Sequence, residues 1–358
     1  MRKIYIDNTR WITVVLVVIY HVIYMFNHVT IHGILGPLSD RQPQDIYQYI
    51  VYPWFMLLLF VISGMSSRFY LEHHTNKEFI KSRTRKLLVP STIGVLVGGW
   101  ILGYYNMIIA DVFKNIGEVP GPILFLIMCL SGTGVLWYIQ MLWVFSMLLL
   151  IIRKIEKDRL YKFCERTNCF DLILLTIIIY FSAQILNTPI IIVYRFGIYF
   201  IGFLIGYFIL SHDKVMERLE QSRKFFGLFA IISCFLFIFK YYGKNYADHE
   251  VLDTILCNVY AWFGTLGVLS FMKHWGNFEN SFSKWMIRKS WGLYIFHYLF
   301  TAMSSWYLHI YTPNLIPIAV YLIVGLASFL GAFLLYEIIS RIPLIRWCIL
   351  GMRKEDYK

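Results

Sequence analysis

The chain offers no cysteine pattern from which a disulfide scaffold or a zinc site can be drawn. Of its six cysteines, four fall in apolar segments. The other two, Cys164 and Cys169, lie in a polar connecting stretch, are not spaced as Cys-x-x-Cys and have no histidine beside them. Charge is scarce too: Asp, Glu, Lys and Arg make up 15% of residues, against about 25% in soluble domains. No internal repeat or low-complexity segment occurs, which removes the symmetry typical of many transporters. The polar stretches 67–86, 153–170, 211–224 and 273–289 have loop length, which excludes a sizeable soluble domain. No small-residue cleavage site follows the first apolar run, so that run is expected to be a retained anchor.

What the chain has is apolar surface, 58% hydrophobic and 18% aromatic residues with mean hydropathy +0.60. This predicts an all-α integral membrane protein, a single membrane-embedded domain over 1–358 with about ten transmembrane helices around a central cavity. The predicted spans lie near 11–30, 46–66, 87–110, 135–152, 171–186, 191–210, 225–240, 254–272, 290–309 and 315–338. The fifth and sixth are nearly continuous through Asn187-Thr188-Pro189. With the amino terminus in the cytoplasm, all 33 Lys and Arg but Arg41, Lys114, Arg195, Lys240 and Lys244 fall on the cytoplasmic side. That partition predicts both termini inside and an even number of spans, in a plasma-membrane setting. The net charge of +12 is thus spread as topology demands, and no nucleic-acid partner is implied. Gly117, Pro120, Gly121 and Pro122 break the outer segment 111–134, where the run 123–130 is too short to span. A re-entrant or interfacial helix that roofs the cavity is expected there.

Within this apolar background, Arg10 and His21 stand eleven positions apart on the first segment, close to three helical turns. They share one face and are separated by roughly 16 Å along the axis. An ionisable group near mid-membrane is costly and normally faces a protein-lined cavity, which makes His21 a candidate catalytic group and Arg10 a fixed charge at its entrance. Asp7, three residues before Arg10, is placed to hold the guanidinium. A second basic cluster, Arg83, Arg85 and Lys86, precedes Pro90; Arg83 and Lys86 are one α-turn apart near an expected helix amino terminus, an arrangement suited to phosphate. His21, His28 and His32 recur on one helical face, and His73 and His74 flank Glu72, but neither group carries the ligand set of a metal site, and none is assigned.

The ordered set of these motifs resembles the integral membrane acyltransferases of family 3, which move acyl groups from acyl-coenzyme A to glycans and other envelope acceptors. The likeness rests on Asp7-x-x-Arg10 with His21, on Ile62-Ser63-Gly64, and on Arg83-x-x-Lys86 running into Leu87-Leu88-Val89-Pro90. It extends to Leu136-Trp137-Tyr138 with Leu142, and to Tyr294-Ile295-Phe296-His297. The ending Leu335-Tyr336-Glu337 through Arg346 is similar to the glucan biosynthesis protein C branch. Lys86 stands where the family motif has arginine, keeping the charge but losing the bidentate fork.

The resemblance implies His21 as the catalytic residue and acyl-CoA as a cytoplasmic co-substrate, with no permanently bound cofactor. Its phosphates are expected near Arg10 and the Arg83 to Lys86 cluster. His297, expected about 10 Å into a span that begins at Ser290 and so shallower than His21, would line the coenzyme channel. Trp137 and Arg195 are candidate contacts for the acceptor. The expected function is transfer of an acyl group, acetyl by default and succinyl as the variant, to an extracytoplasmic hydroxyl with His21 as general base. A transporter or exporter of a glycan or small polar substrate is the alternative. The expected partners are acyl-CoA, the acceptor and the bilayer; a homo-oligomer is compatible with the sequence.

Overall fold

The computed structural model describes residues 3–29, 34–40, 42–187 and 194–357. Their fold is all-α: among the described residues, extended chain pairs only in an isolated bridge between Asn187 and Arg195. Apolar segments in a bilayer must satisfy every backbone N–H and C=O internally, and here helices do so. In chain order the main helices are α1 (Ile4–Tyr24), α2 (Ile46–Leu71), α3 (Asn76–Ile109), α4 (Gly121–Ser131) and α5 (Trp137–Glu156). They continue with α6 (Cys169–Ala183), α7 (Phe196–Phe208), α8 (Asp213–Gln221), α9 (Arg223–Tyr241) and α10 (Ile255–Trp275). The last three are α11 (Ser281–Tyr311), α12 (Pro317–Arg341) and α13 (Pro343–Leu350).

Every predicted span carries a helix, yet among the described residues seven helices are long and apolar enough to cross a membrane, or eight if α7 and α8, bent by 106°, form one broken span. The protein is a multi-pass membrane protein with fewer full-length apolar helices than the ten expected. The shortfall has physical causes. At 15 and 13 residues, α6 and α7 reach only about 20 Å, short of a hydrocarbon core of about 30 Å. The 31 residues of α11 have the length, but Ser290, His297, Thr301, Ser304 and Ser305 lower its hydropathy.

The chain packs as two compact units interleaved along the sequence. Unit 1 comprises Met1–Thr13, Ile46–Ile80 and Val144–Ile287. Its centre is α2, apolar on all sides because it is enclosed on all sides. Against α7 the two backbones touch: a Cβ on Gly64 would sit 2.0 Å from the Phe203 carbonyl oxygen, and one on Gly206 would sit 2.0 Å from that of Val61. Only glycine permits this approach, the small-residue packing that holds helices together where lipid gives no hydrophobic drive. The start of α1 is pinned by Asn8, whose amide donates to the carbonyls of Gly276 (2.7 Å) and Phe278 (2.8 Å).

Unit 2 comprises Val14–Asp45, Lys81–Trp143 and Arg288–Lys358. It holds α3 from Lys81 onward, with the two π-helical turns Thr84–Leu88 and Val95–Gly99; the helix itself starts in unit 1 at a capping box in which the Glu78 carboxylate accepts from the Thr75 backbone N–H and the Thr75 hydroxyl accepts from the Glu78 backbone N–H. The short α4 lies against α3 through glycine: a Cβ on Gly103 would meet the Met128 carbonyl oxygen at 1.7 Å. Tyr294 on α11 donates to the Val135 carbonyl at the head of α5, and the Tyr138 ring stands edge-on to Tyr294 at 5.9 Å. After α13, Gly351 turns the chain with φ +61°, a left-handed conformation natural to glycine at a helix C-terminus.

Candidate active site

In unit 2, α1 and α11 bring His21 and His297 together, residues 276 positions apart in sequence. Their rings are 5.1 Å apart between centroids, and His297 Nε2 lies 3.2 Å from His21 Nδ1. His21 Nδ1 is also 2.9 Å from the Val17 carbonyl one turn back on its own helix. A carbonyl can only accept, so the network assigns the proton to Nδ1 and leaves Nε2 of neutral His21 as a bare lone pair. No partner for that nitrogen occurs among the described residues. Tyr298 (4.9 Å) and Tyr20 (5.1 Å) pack edge-on against the imidazole, with Tyr24 farther off at 6.4 Å. This aromatic surround fixes the ring and limits water. His21 is nonetheless half-buried, whereas His297 is 0% exposed, so of the two only His21 keeps an edge that a substrate can touch.

His297 differs from the sequence expectation in two respects. It is enclosed and so lines no channel, and it stands level with His21 rather than shallower. The reason is that α11 begins at Ser281, nine residues before Ser290, so the histidine lies sixteen residues, about 24 Å, along its helix.

On the same α1 helix, in unit 1, Arg10 Nη1 donates to Asp7 Oδ1 at 3.0 Å and Nη2 to the Ser66 hydroxyl at 2.7 Å. Ser66 in turn donates to the Ile62 carbonyl at 2.7 Å, which ties the guanidinium to the end of α2. The side chain remains 38% exposed, and a guanidinium has five N–H donors, so it is held in place with donors to spare. Asp7 and Ser66 also line a cavity of about 590 Å³ in unit 1, bounded by Lys3, Tyr70, His74 and Tyr161 among others.

The second basic cluster is built differently from its sequence expectation. Arg83, Arg85 and Lys86 lie inside α3, past its capped start, so no free helix N–H groups face them. The π turn at Thr84–Leu88 also moves Arg83 and Lys86 off a common face, because i→i+5 bonding changes the angle each residue turns. Lys86 is exposed and Arg83 half-buried. Arg85 is paired with Asp356 from the carboxyl-terminal turn, brought there by Gly351, whose Cβ would clash with the Arg85 carbonyl. Partial burial alone would raise the Asp356 carboxyl, but the Arg85 guanidinium and the Arg353 backbone N–H outweigh it and hold that group below the usual carboxylate range. Sequence spacing gives no signal for a pair 271 residues apart.

Trp137 is half-buried at the first turn of α5, and that helix is stitched to α3 by Trp143 donating to Thr84 (3.2 Å) and Gln140 to the Ser91 carbonyl (3.0 Å). Arg195 is 3% exposed and donates to the Leu252 carbonyl at 3.2 Å. It braces unit 1 internally and presents nothing to an acceptor. Among the described residues no group of three His, Cys, Asp or Glu side chains is arranged to hold a metal. His28 bonds the Ser39 carbonyl at 2.9 Å, and His32 and Arg41 lie outside the described residues.

A family model described as an acyltransferase domain matches residues 3–337, a span that takes in every motif above except the final arginine-rich stretch. No curated protein and no solved structure matches the chain significantly.

Proposed function

Because the chain belongs to acyltransferase family 3 and is therefore a membrane acyltransferase, we propose that it transfers an acyl group, acetyl first among candidates, from cytoplasmic acyl-CoA to a hydroxyl of an extracytoplasmic glycan or other envelope acceptor, with His21 as general base. The observation that carries this reading is the bare, accessible Nε2 of His21 in a ring otherwise locked by Val17 and His297. A neutral imidazole with a free nitrogen can take the acceptor's hydroxyl proton as the oxygen attacks the thioester carbonyl. Three turns away, Arg10 is a fixed cation with unused donors for a phosphate of the coenzyme. The roughly 16 Å between them along α1 suits a nucleotide held at one end and a thioester delivered by an extended pantetheine at the other. Lys86, exposed on α3, is a further phosphate contact.

This reading places both termini in the cytoplasm and the protein in the plasma membrane, in keeping with the distribution of Lys and Arg. Family membership favours an enzyme over the transporter alternative. The test is label transfer in sealed vesicles of known orientation, with radiolabelled acetyl-CoA supplied to the cytoplasmic face and candidate envelope glycans to the other. Labelled glycan with the substrates on opposite faces is the expected result. Product formed solely when both share one face overturns the cross-membrane arrangement, and no transfer from acetyl-CoA to any glycan overturns the choice of substrates.

A further inference from the structure

We infer that His297 is a positioning and proton-sharing partner of His21, so that the reaction runs through two imidazoles. The inference rests on the reading of His21 as base and adds a residue to it. The argument starts from protons. His297 Nδ1 lies 3.0 Å from the Leu293 carbonyl and 2.9 Å from that of Tyr294. Both are acceptors only, so Nδ1 carries the N–H, and in the neutral ring Nε2 is then a bare lone pair. That lone pair is buried with the rest of the residue, and among the described residues its one partner is His21 Nδ1 at 3.2 Å. A bare nitrogen enclosed without a donor would be destabilising, because it has lost its water without gaining a partner. The shared N–H of His21, split between Val17 and His297, removes that cost and fixes the ring with Nε2 outward.

Each proton is then accounted for. As the acceptor oxygen forms its bond to the acyl carbon, its proton passes to His21 Nε2. The imidazolium so formed has an Nδ1–H already directed at His297 Nε2, and that proton moves across. The positive charge is then spread over two rings, and the His297 end is steadied by the two carbonyls at its Nδ1. When the carbon–sulfur bond breaks, the coenzyme leaves as a thiolate and takes the proton from His21 Nε2. The proton on His297 Nε2 returns to His21 Nδ1, and both rings are back in their starting tautomers. Thr301 keeps the helix turn around His297 fixed by donating to its carbonyl (2.9 Å) and bonding the Ser328 hydroxyl (2.7 Å).

The experiment compares His297→Leu, His297→Gln and His21→Ala in the full chain, with single-turnover acetyl transfer measured per folded molecule in mixtures of H2O and D2O. His297→Leu is expected to slow transfer by roughly 10- to 100-fold with KM for acetyl-CoA unchanged, since Val17 still holds the His21 ring but the second proton site is gone. His297→Gln, which keeps an acceptor but cannot take a proton, should recover part of that loss. The dependence of rate on deuterium fraction should be curved in the parent protein, with two protons in flight, and linear in both His297 variants. A linear dependence in the parent, or full activity in His297→Leu, overturns the inference. Activity retained in His21→Ala overturns the base assignment beneath it, so the two failures are distinguishable.

Discussion

Two ionisable groups, one in each unit, look alike in the sequence and differ in the fold. Arg195 in unit 1 and His21 in unit 2 are both ionisable residues flanked by apolar runs, and both are candidate contacts for a substrate on that ground. Arg195 is enclosed and gives its guanidinium to Leu252 and, at 3.5 Å, to Asn258. His21 has one nitrogen committed and one open. An ionisable side chain in an apolar setting is made tolerable by polar partners; what separates a brace from a reactive group is whether an atom remains uncommitted and reachable. Residue type and hydropathy carry no information about that atom.

The contrast is broken most severely at His21. Replacement by Ala should reduce turnover by about 10²–10⁴-fold while folded yield from detergent extracts stays at the parental level; turnover within a few-fold of the parent would remove His21 from the chemistry. Arg195→Leu should do the opposite, leaving activity per folded molecule unchanged and lowering thermal stability. It strands the Asn258 amide oxygen, at about 1–3 kcal/mol for a buried group left unpaired, while the Leu252 carbonyl keeps the Asn258 amide N–H at 2.9 Å; a parental melting temperature would show that Arg195 braces nothing. Smaller still, Lys86→Ala should raise KM for acetyl-CoA several-fold with little change in kcat, because a phosphate contact binds ground and transition states alike. Lys86→Arg should match or improve on the parent. An equal rise in KM for a truncated acetyl-pantetheine thioester would show that no phosphate is involved.

The smallest effect is expected at Arg85 and Asp356. A carboxyl whose ionisation is favoured by folding stabilises at neutral pH and loses that contribution as pH falls through its depressed folded value. The tail contact should therefore weaken only below about pH 4, at a cost of less than about 1 kcal/mol for this partly exposed pair. Asp356→Asn should make protease sensitivity of the carboxyl terminus independent of pH over that range. A profile unchanged from the parent would mean that the pair does not anchor the tail. If Arg85, once released, serves phosphate, the same variant should also lower KM for acetyl-CoA.

Helix positions were legible because a bilayer leaves an apolar run few alternatives. Helix starts were less so: α11 runs back through Ser281–Lys289, where hydropathy sees only a polar flank. The shared face of Arg10 and His21 could be read because α1 is regular and the two are near in sequence. The neighbours that give them their chemistry could not, since Ser66 and His297 arrive from other helices and no local spacing encodes that meeting. Arg83 and Lys86 show the reverse case, in which α-helical spacing meets a helix that does not keep α-geometry there.

The two π turns of α3 have a consequence for how this chain can change. Each acts as one residue added to an α-helix, and one residue is about 100° of rotation. Two of them turn the final stretch, Trp100–Ile109, by about 200° relative to the start of α3. Gly99 and Gly103, which meet α4, face it only by virtue of that rotation. A single-residue deletion in Thr84–Leu88 that regularised the helix would leave this glycine edge facing α4, because the residue lost is the one the π turn absorbs, whereas a deletion in the regular turns of Val89–Gly94 would swing the edge by about 100°. The π turns are therefore the places where α3 can lose a residue and keep α4 in its seat.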